Sequence, residues 1–351
     1  MNQMNECKKE PYPKWNVFFE RRVVGNMDEE PAKSEIPINK TFMWANDMWQ
    51  ILSLYPFQQG IAIDVCKQIE PTAIRTFLDK WHYEDNDLTN ISDEEMELMT
   101  TENPTDEDFI PQLQCDGIAM QWSSTSATGW NPLLKEIEEN SLDAAMTISH
   151  YSLSPESGWL ICRLFFLYPN HSLAISSKHD LTLTLTQREL PVHGPHFCNL
   201  AVGDQISFIN PTTKIMHTLK ILDIIEEQLS NSNLRNQCWI IPTNVMRLNY
   251  SITPDLPKNS YQIRDCSHGD APIERKLGVD QKEGHSSSNF ASSVILAASD
   301  GPTSIFVAGK DRSSSVHTAY SSVYFEANKN IEWRMVFKHK IREDIQISFH
   351  I

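Results

Sequence analysis

The densest set of metal-capable side chains in the chain is His193-Gly194-Pro195-His196-Phe197-Cys198. Imidazole and thiolate together suit zinc, which takes about four protein ligands in a structural site or about three plus water in a catalytic one. His217 would join by folding back across a hairpin that begins at Asp204 and turns at Asn210-Pro211. His193, His196, Cys198 and His217 are therefore the candidate metal ligands. Their spacing follows no standard zinc pattern, and Gly-Pro between the histidines is also an ordinary turn signal. No motif predicts a cofactor, and zinc is what these donors would hold.

Two other sets carry chemistry-bearing types. Asp265-Cys266-Ser267-His268-Gly269-Asp270 holds a thiol, an imidazole and two carboxylates. Adjacent positions rarely converge as a catalytic triad does, and no Gly-x-Ser-x-Gly elbow occurs, so a solvated loop is the favoured reading. Asp64 sits inside the apolar run Ile61-Ala-Ile-Asp-Val-Cys66. Facing a core, it would need a partner or a raised pKa, the condition of a general acid. On a strand it shares a face with Ala62 and Cys66, and exposure of that face is the expectation. Phosphate-binding and dinucleotide glycine patterns are missing, and 12 glycines in 351 residues leave little room for them.

The elements that must position these groups are mostly strands. Trp49–Tyr55 and Gly60–Cys66 read as strands about a Pro56/Gly60 turn, and Trp159–Tyr168 as a buried strand. Asp180–Gln187 alternates leucine with threonine, a period of two that places the leucines on one face. Asp204–Ile209 and Ile215–Leu222 flank the turn Asn210-Pro-Thr-Thr213, and one helical turn is expected at Ile224–Leu229. Pro71–His82 reads as a helix, with Ala73, Ile74, Phe77, Leu78 and Trp81 at helical spacing. Asn131–Met146 reads as a second. Strands return at Val294, Ile305, Ser321–Glu326, Ile331–Lys338 and Ile345–Phe349, which short turns would join into an antiparallel meander.

The fold class is accordingly α+β, predominantly antiparallel β with a few helices and a C-terminal β-meander. The expected organisation is a flexible N-terminus over 1–14, an α+β domain over 15–145 with an acidic linker at 84–108, a β-rich domain over 146–263, a loop or linker over 264–290, and the antiparallel meander over 291–351, packed on the preceding domain.

Composition bounds the partners. A net charge of -16 opposes a nucleic-acid or anionic membrane partner, because phosphate binding relies on Lys and Arg releasing counterions. No Lys or Arg occurs from Trp81 through Leu134, so this stretch is either a solvated loop or a recruiter of a basic protein. Seven scattered cysteines without a Cys-x-x-Cys pair are the usage of a reducing compartment, and no secretory signal is read at the N-terminus. The longest apolar runs fall short of the roughly 20 residues a helix needs to span a bilayer. A soluble, cytoplasmic protein is expected.

The segment Val294-Ile-Leu-Ala-Ala-Ser-Asp-Gly-Pro-Thr-Ser-Ile-Phe-Val-Ala-Gly-Lys310 resembles the Gly-Ala-Asp-Gly-Pro-Thr-(Ser/Ala)-Ile-Phe signature of the β subunit of sodium-translocating decarboxylases, with Ala298-Ser299 in place of Gly-Ala. The resemblance implies an ion-handling role for Asp300. The family is an integral membrane one, whereas this chain has no apolar spans. As a whole it more closely resembles a group of soluble Firmicutes proteins that carry this signature near the C-terminus. Shared features are Trp15-Asn-Val-Phe-Phe, Asn210-Pro-Thr-Thr with His217-Thr-Leu, and Glu332-Trp-Arg.

Read physically, the signature is a turn. Gly301 permits an unusual backbone angle, and Asp300, Thr303 and Ser304 cap exposed backbone groups. Alternatively, Asp300, Gly301, Thr303 and Ser304 present a small ligand site. The functional expectation is a soluble binding or interaction protein, not an ion pump, whose acidic surface and sheet edges engage a protein. The alternative is a hydrolytic or metal-assisted enzyme using the His/Cys cluster, so whether the chain is an enzyme stays open.

Overall fold

The Leu/Thr alternation at 180–187 becomes a strand whose leucines, Leu181, Leu183 and Leu185, are fully buried while the intervening threonines are partly exposed. The computed structural model describes residues 15–19, 31–81, 91–134, 140–169, 178–229, 239–267, 269–274, 316–328 and 330–351. The chain divides into two compact units. Unit 1 comprises residues 1–91, 96–188 and 340–351, and unit 2 comprises 92–95 and 189–339.

Unit 1 is built on an eight-stranded sheet. Its strands are β1 (Ile36–Trp44), β2 (Asp47–Pro56), β3 (Gly60–Ile69), β4 (Phe109–Cys115), β5 (Ile118–Trp130), β6 (Gly158–Leu167), β7 (Asp180–Gln187) and β17 (Ile345–His350). They run in the order β1-β2-β3-β6-β5-β4-β7-β17, every pair antiparallel. The sheet curls until its edges nearly meet, where the Lys40 ammonium on β1 donates to the Ser348 carbonyl on β17. Eight strands enclose just enough space for side chains to fill. Trp44, Trp49, Ile51, Ile63, Leu164 and Phe349 belong to that filling.

Strands β3 and β6 are buried along almost their whole length because both of their faces are covered, and they are largely apolar apart from charges such as Asp64 and Arg163. Their outer face packs against Val17 and against the helix α3 (Leu142–His150), through Ala144, Ala145 and Ile148. The helix α1 (Pro71–Trp81) starts where Pro71 needs no N–H partner, and it buries Ile74 and Phe77.

Unit 2 has a four-stranded sheet and a three-stranded sheet that share one core, plus a two-stranded pairing. The larger sheet orders β15 (His317–Tyr320), β12 (Asn244–Thr253), β10 (Met216–Gln228) and β9 (Gln205–Ile209). The smaller orders β13 (Tyr261–Asp265), β16 (Trp333–His339) and β8 (Leu190–Phe197). Leu219, Ile221 and Tyr250 from one meet Ile263, Met335 and Phe337 from the other. The pair β11 (Trp239–Ile240) and β14 (Ile273–Glu274) completes the unit.

Several expectations are corrected. The second helix begins at Leu142, not Asn131, because Ser141 supplies the N-cap, its Oγ accepting from the Ala144 N–H at 3.1 Å. The Asn140 side-chain amide brackets the Asn131 backbone, its Oδ1 accepting from the Asn131 N–H at 2.8 Å and its Nδ2 donating to the Asn131 carbonyl at 3.1 Å. Residues 224–228 are strand, because β10 continues past a bulge to pair with β12, which supplies hydrogen bonds that one helical turn lacks. Ser321–Glu326 is not a strand, and Tyr324 makes only an isolated bridge to Asn244.

The acidic linker contains a helix, α2 (Asp93–Glu102). Ser92 and Glu95 form a capping box: Glu95 Oε2 accepts from the Ser92 N–H, and Ser92 Oγ from the Glu95 N–H. A domain boundary near 145 is crossed by pairing of β6 with both β3 and β5. Among the described residues the C-terminal strands do not pair with one another: β15, β16 and β17 lie in three different sheets, since each finds its hydrogen-bonding partner far back in the chain. The strands expected within 294–310, with Asp300, Gly301, Thr303 and Ser304, fall outside the described residues.

Candidate functional site

Residues three apart on a regular strand face opposite sides, yet His193 and His196 on β8 both reach Glu94. The reason is a β-bulge. Opposite Arg334 to Val336, a step of two on β16, β8 advances three residues from His196 to His193. Gly194 is required there, because a Cβ would lie 2.6 Å from Phe337 Cε2 and 2.8 Å from the Met335 carbonyl oxygen. Pro195, which lacks an N–H, suits a bulge on an edge strand. The Gly-Pro pair read from sequence as a turn is therefore the device that aligns the two imidazoles.

Three adjacent strands of the smaller sheet, in the order β13-β16-β8, deliver one donor each. His196 stands on β8, Glu332 just before β16, and Cys266 just after β13. The Cys266 N–H donates to the Glu332 carbonyl at 2.8 Å, which fixes the two side by side. His196 Nδ1 is 2.9 Å from Glu332 Oε1 and 3.7 Å from Cys266 Sγ, and the donor atoms of all three lie within 4.8 Å of one another. The other imidazole nitrogen, Nε2, is 3.0 Å from Glu94 Oε2. Arg334 donates from Nη1 to His193 Nδ1 at 3.2 Å, and Glu94 Oε1 is 3.3 Å from that same nitrogen.

His196 converges with Cys266 and Glu332, whereas Cys198 and His217 stand outside this group. Strand β8 ends at Phe197, and Cys198 is exposed beside Asn199, whose backbone is left-handed at φ 53. His217 is buried on β10, its ring stacked 5.5 Å from Phe208 and its Nδ1 2.7 Å from the Pro254 carbonyl oxygen. A histidine so packed is a core residue.

The thiol-imidazole-acid reading of residues 265–270 does not gain support. Asp265 is spent on the Tyr324 hydroxyl at 2.6 Å and the Ser267 and Ser322 N–H groups, and Asp270 on the Phe325 N–H. Burial first, and Glu332 next, push the Cys266 thiol up to about 11, so it holds its proton at neutral pH and is no ready nucleophile. His268 lies outside the described residues.

Beside His193 a cleft of about 520 Å³ opens between the edge strands β8 and β9, lined by Gly194, Pro195, Phe208, Ile209 and Met216. Ile209 and Met216 are 57% and 62% exposed, well beyond what a core-facing apolar side chain shows. The β9–β10 turn is held as expected, with Asn210 Oδ1 accepting from the N–H groups of Thr212 and Thr213.

In unit 1, Asp64 is fully buried rather than exposed. It stands opposite Arg163 in the β3/β6 register, and the guanidinium grips it bidentately, Nε to Oδ1 at 2.6 Å and Nη2 to Oδ2 at 2.8 Å. Tyr151 donates to Oδ2 at 2.6 Å, and the Tyr55 hydroxyl lies 2.6 Å from that of Tyr151. Burial, and then the Asp64 charge, drive both phenols far above their usual range, so they stay protonated. With its lone pairs satisfied and its charge paired, Asp64 is a structural anchor and not a general acid.

Five cysteines in the described residues, Cys66, Cys115, Cys162, Cys198 and Cys266, are free thiols. Cys115, Asp116 and His179 also converge, with Asp116 Oδ2 2.7 Å from His179 Nδ1 and Asp116 Oδ1 accepting from the Asp180 N–H. Comparison of the chain with protein-family models, with curated proteins and with solved structures finds no match.

Proposed function

We propose that this chain is a soluble, cytoplasmic binding protein that captures an extended, basic segment of a protein partner along the edge of β9 that no described strand pairs. The observation that carries this reading is the cleft between the β8 and β9 edges. A strand edge presents unpaired N–H and C=O groups, which proteins commonly blunt with proline or charge. β8 is blunted by Pro191, Pro195 and its bulge. β9, Gln205-Ile-Ser-Phe-Ile209, carries neither proline nor charge and leaves Ile209 exposed beside the cleft. A peptide added there gains main-chain hydrogen bonds and an apolar socket. The net charge of -16 favours a basic occupant.

Free thiols agree with a reducing compartment. No described helix is long and apolar enough to cross a membrane. The test is fluorescence anisotropy with an array of extended peptides of graded charge. Basic peptides should bind, and Ile209→Lys, at an exposed position, should weaken them at least tenfold while the fold is kept. Equal binding of acidic peptides, or indifference to the substitution, would reject the reading.

A second reading, a metal-assisted hydrolytic enzyme, is favoured by one observation, the convergence of His196, Cys266 and Glu332. Turnover of a hydrolysable ester that depends on added zinc and is lost in His196→Ala would support it.

A further inference from the structure

We infer that His196 Nδ1, Cys266 Sγ and the Glu332 carboxylate form a binding site for a zinc-class divalent cation, with Glu94 orienting the imidazole from behind. Imidazole, thiolate and carboxylate are the donor types this class of ion accepts, and Mg²⁺ or Ca²⁺ would favour an all-oxygen shell. Ligand atoms bound at about 2.0–2.3 Å lie roughly 3.3–3.8 Å apart around a tetrahedron. Of the separations here, 3.7 Å for the imidazole and sulfur falls within that range, and 2.9 Å for the imidazole and carboxylate falls short of its lower end.

A separate observation concerns the far side of the ring. A metal-bound histidine characteristically gives its other N–H to a carboxylate, which sets the tautomer and aims the lone pair. Glu94 Oε2 already occupies that place, 3.0 Å from His196 Nε2. Glu94 itself is held by the capping box that starts α2, with Ser92 and Glu95 locked to each other on either side of it. With Nε2–H given to Glu94, Nδ1 is the nitrogen left to bind the ion. His196 and Glu332 keep side-chain exposures of 37% and 57%, so an ion can enter and a water can take the fourth position.

The site underlies the metal-assisted reading but requires neither catalysis nor a peptide partner. Its test is calorimetric titration of the full chain with zinc, alongside Co²⁺ substitution read by absorption. Wild type should bind one ion, with a sulfur-to-Co²⁺ charge-transfer band in the near ultraviolet. His196→Ala and Cys266→Ser should each weaken binding at least tenfold, and Cys266→Ser should abolish the band. Glu94→Gln should keep the stoichiometry and the band while weakening affinity roughly 10–100-fold. Cys198→Ser and Ile209→Lys should bind as wild type does, the latter separating this site from peptide capture. No ion bound by folded wild type, a band that survives Cys266→Ser, or binding abolished by Cys198→Ser would overturn the assignment. Circular dichroism of each variant distinguishes lost ligation from lost fold.

Discussion

Asp64 and Arg163 meet across β3 and β6 with almost no contact with water, their exposures being 0% and 6%. Removing one partner of such a pair leaves an uncompensated buried charge, at a cost of about 3–5 kcal/mol. Asp64→Asn should therefore lower unfolding stability by about that amount in urea titrations followed by tryptophan fluorescence. Joint replacement, Asp64→Leu with Arg163→Met, should cost less, since both desolvation penalties vanish together. The tyrosines add a dependence of their own. Tyr151→Phe leaves Asp64 Oδ2 with Arg163 but removes a charge-assisted bond, worth about 1.5–3 kcal/mol. Both Asp64 and Arg163 stand out in the sequence as charges within apolar runs, yet nothing local says that they are partners.

At the level of elements, the bulge in β8 couples stability to the site. Gly194→Ala should place a methyl group against Phe337 and the Met335 carbonyl and cost about 1–3 kcal/mol in thermal or urea unfolding. It should also weaken zinc binding, because the same kink aims His193 and His196 to one side. The capping box of α2 was legible as Ser92-Asp-Glu-Glu95 but hidden within a run of acids that reads as linker. The bulge was not legible, because Gly-Pro marks a turn and a bulge alike, and only the facing strand distinguishes them.

On the scale of the whole molecule, the chain leaves unit 1 after Arg188 and returns at Lys340, so that the last strand closes the first sheet. Ile347 and Phe349 are buried in that core. Truncation after His339 should therefore destabilise unit 1, seen as faster amide hydrogen exchange in β7, whose edge it would expose; unchanged exchange there would refute this closure. The charge of -16 acts at the same scale. Association with a basic peptide should weaken as salt is raised, since the Debye length shrinks from about 10 Å at 0.1 M to about 3 Å at 1 M. The apolar part of the contact should persist.

The alternation at 180–187, the helix at 71–81 and the predominance of antiparallel strands were determined by the sequence itself, because period and capping are short-range properties of the chain. Which strands are neighbours was decided only by tertiary structure. Asp64 finds Arg163 across 99 residues, and His196 finds Cys266 across 70 and Glu332 across 136. Local periodicity assigns a residue to a face, but it does not choose the strand laid beside it. That choice belongs to long-range backbone pairing, which is why the side chains that converge on His196 are a thiol and a carboxylate from distant parts of the chain and not Cys198 and His217.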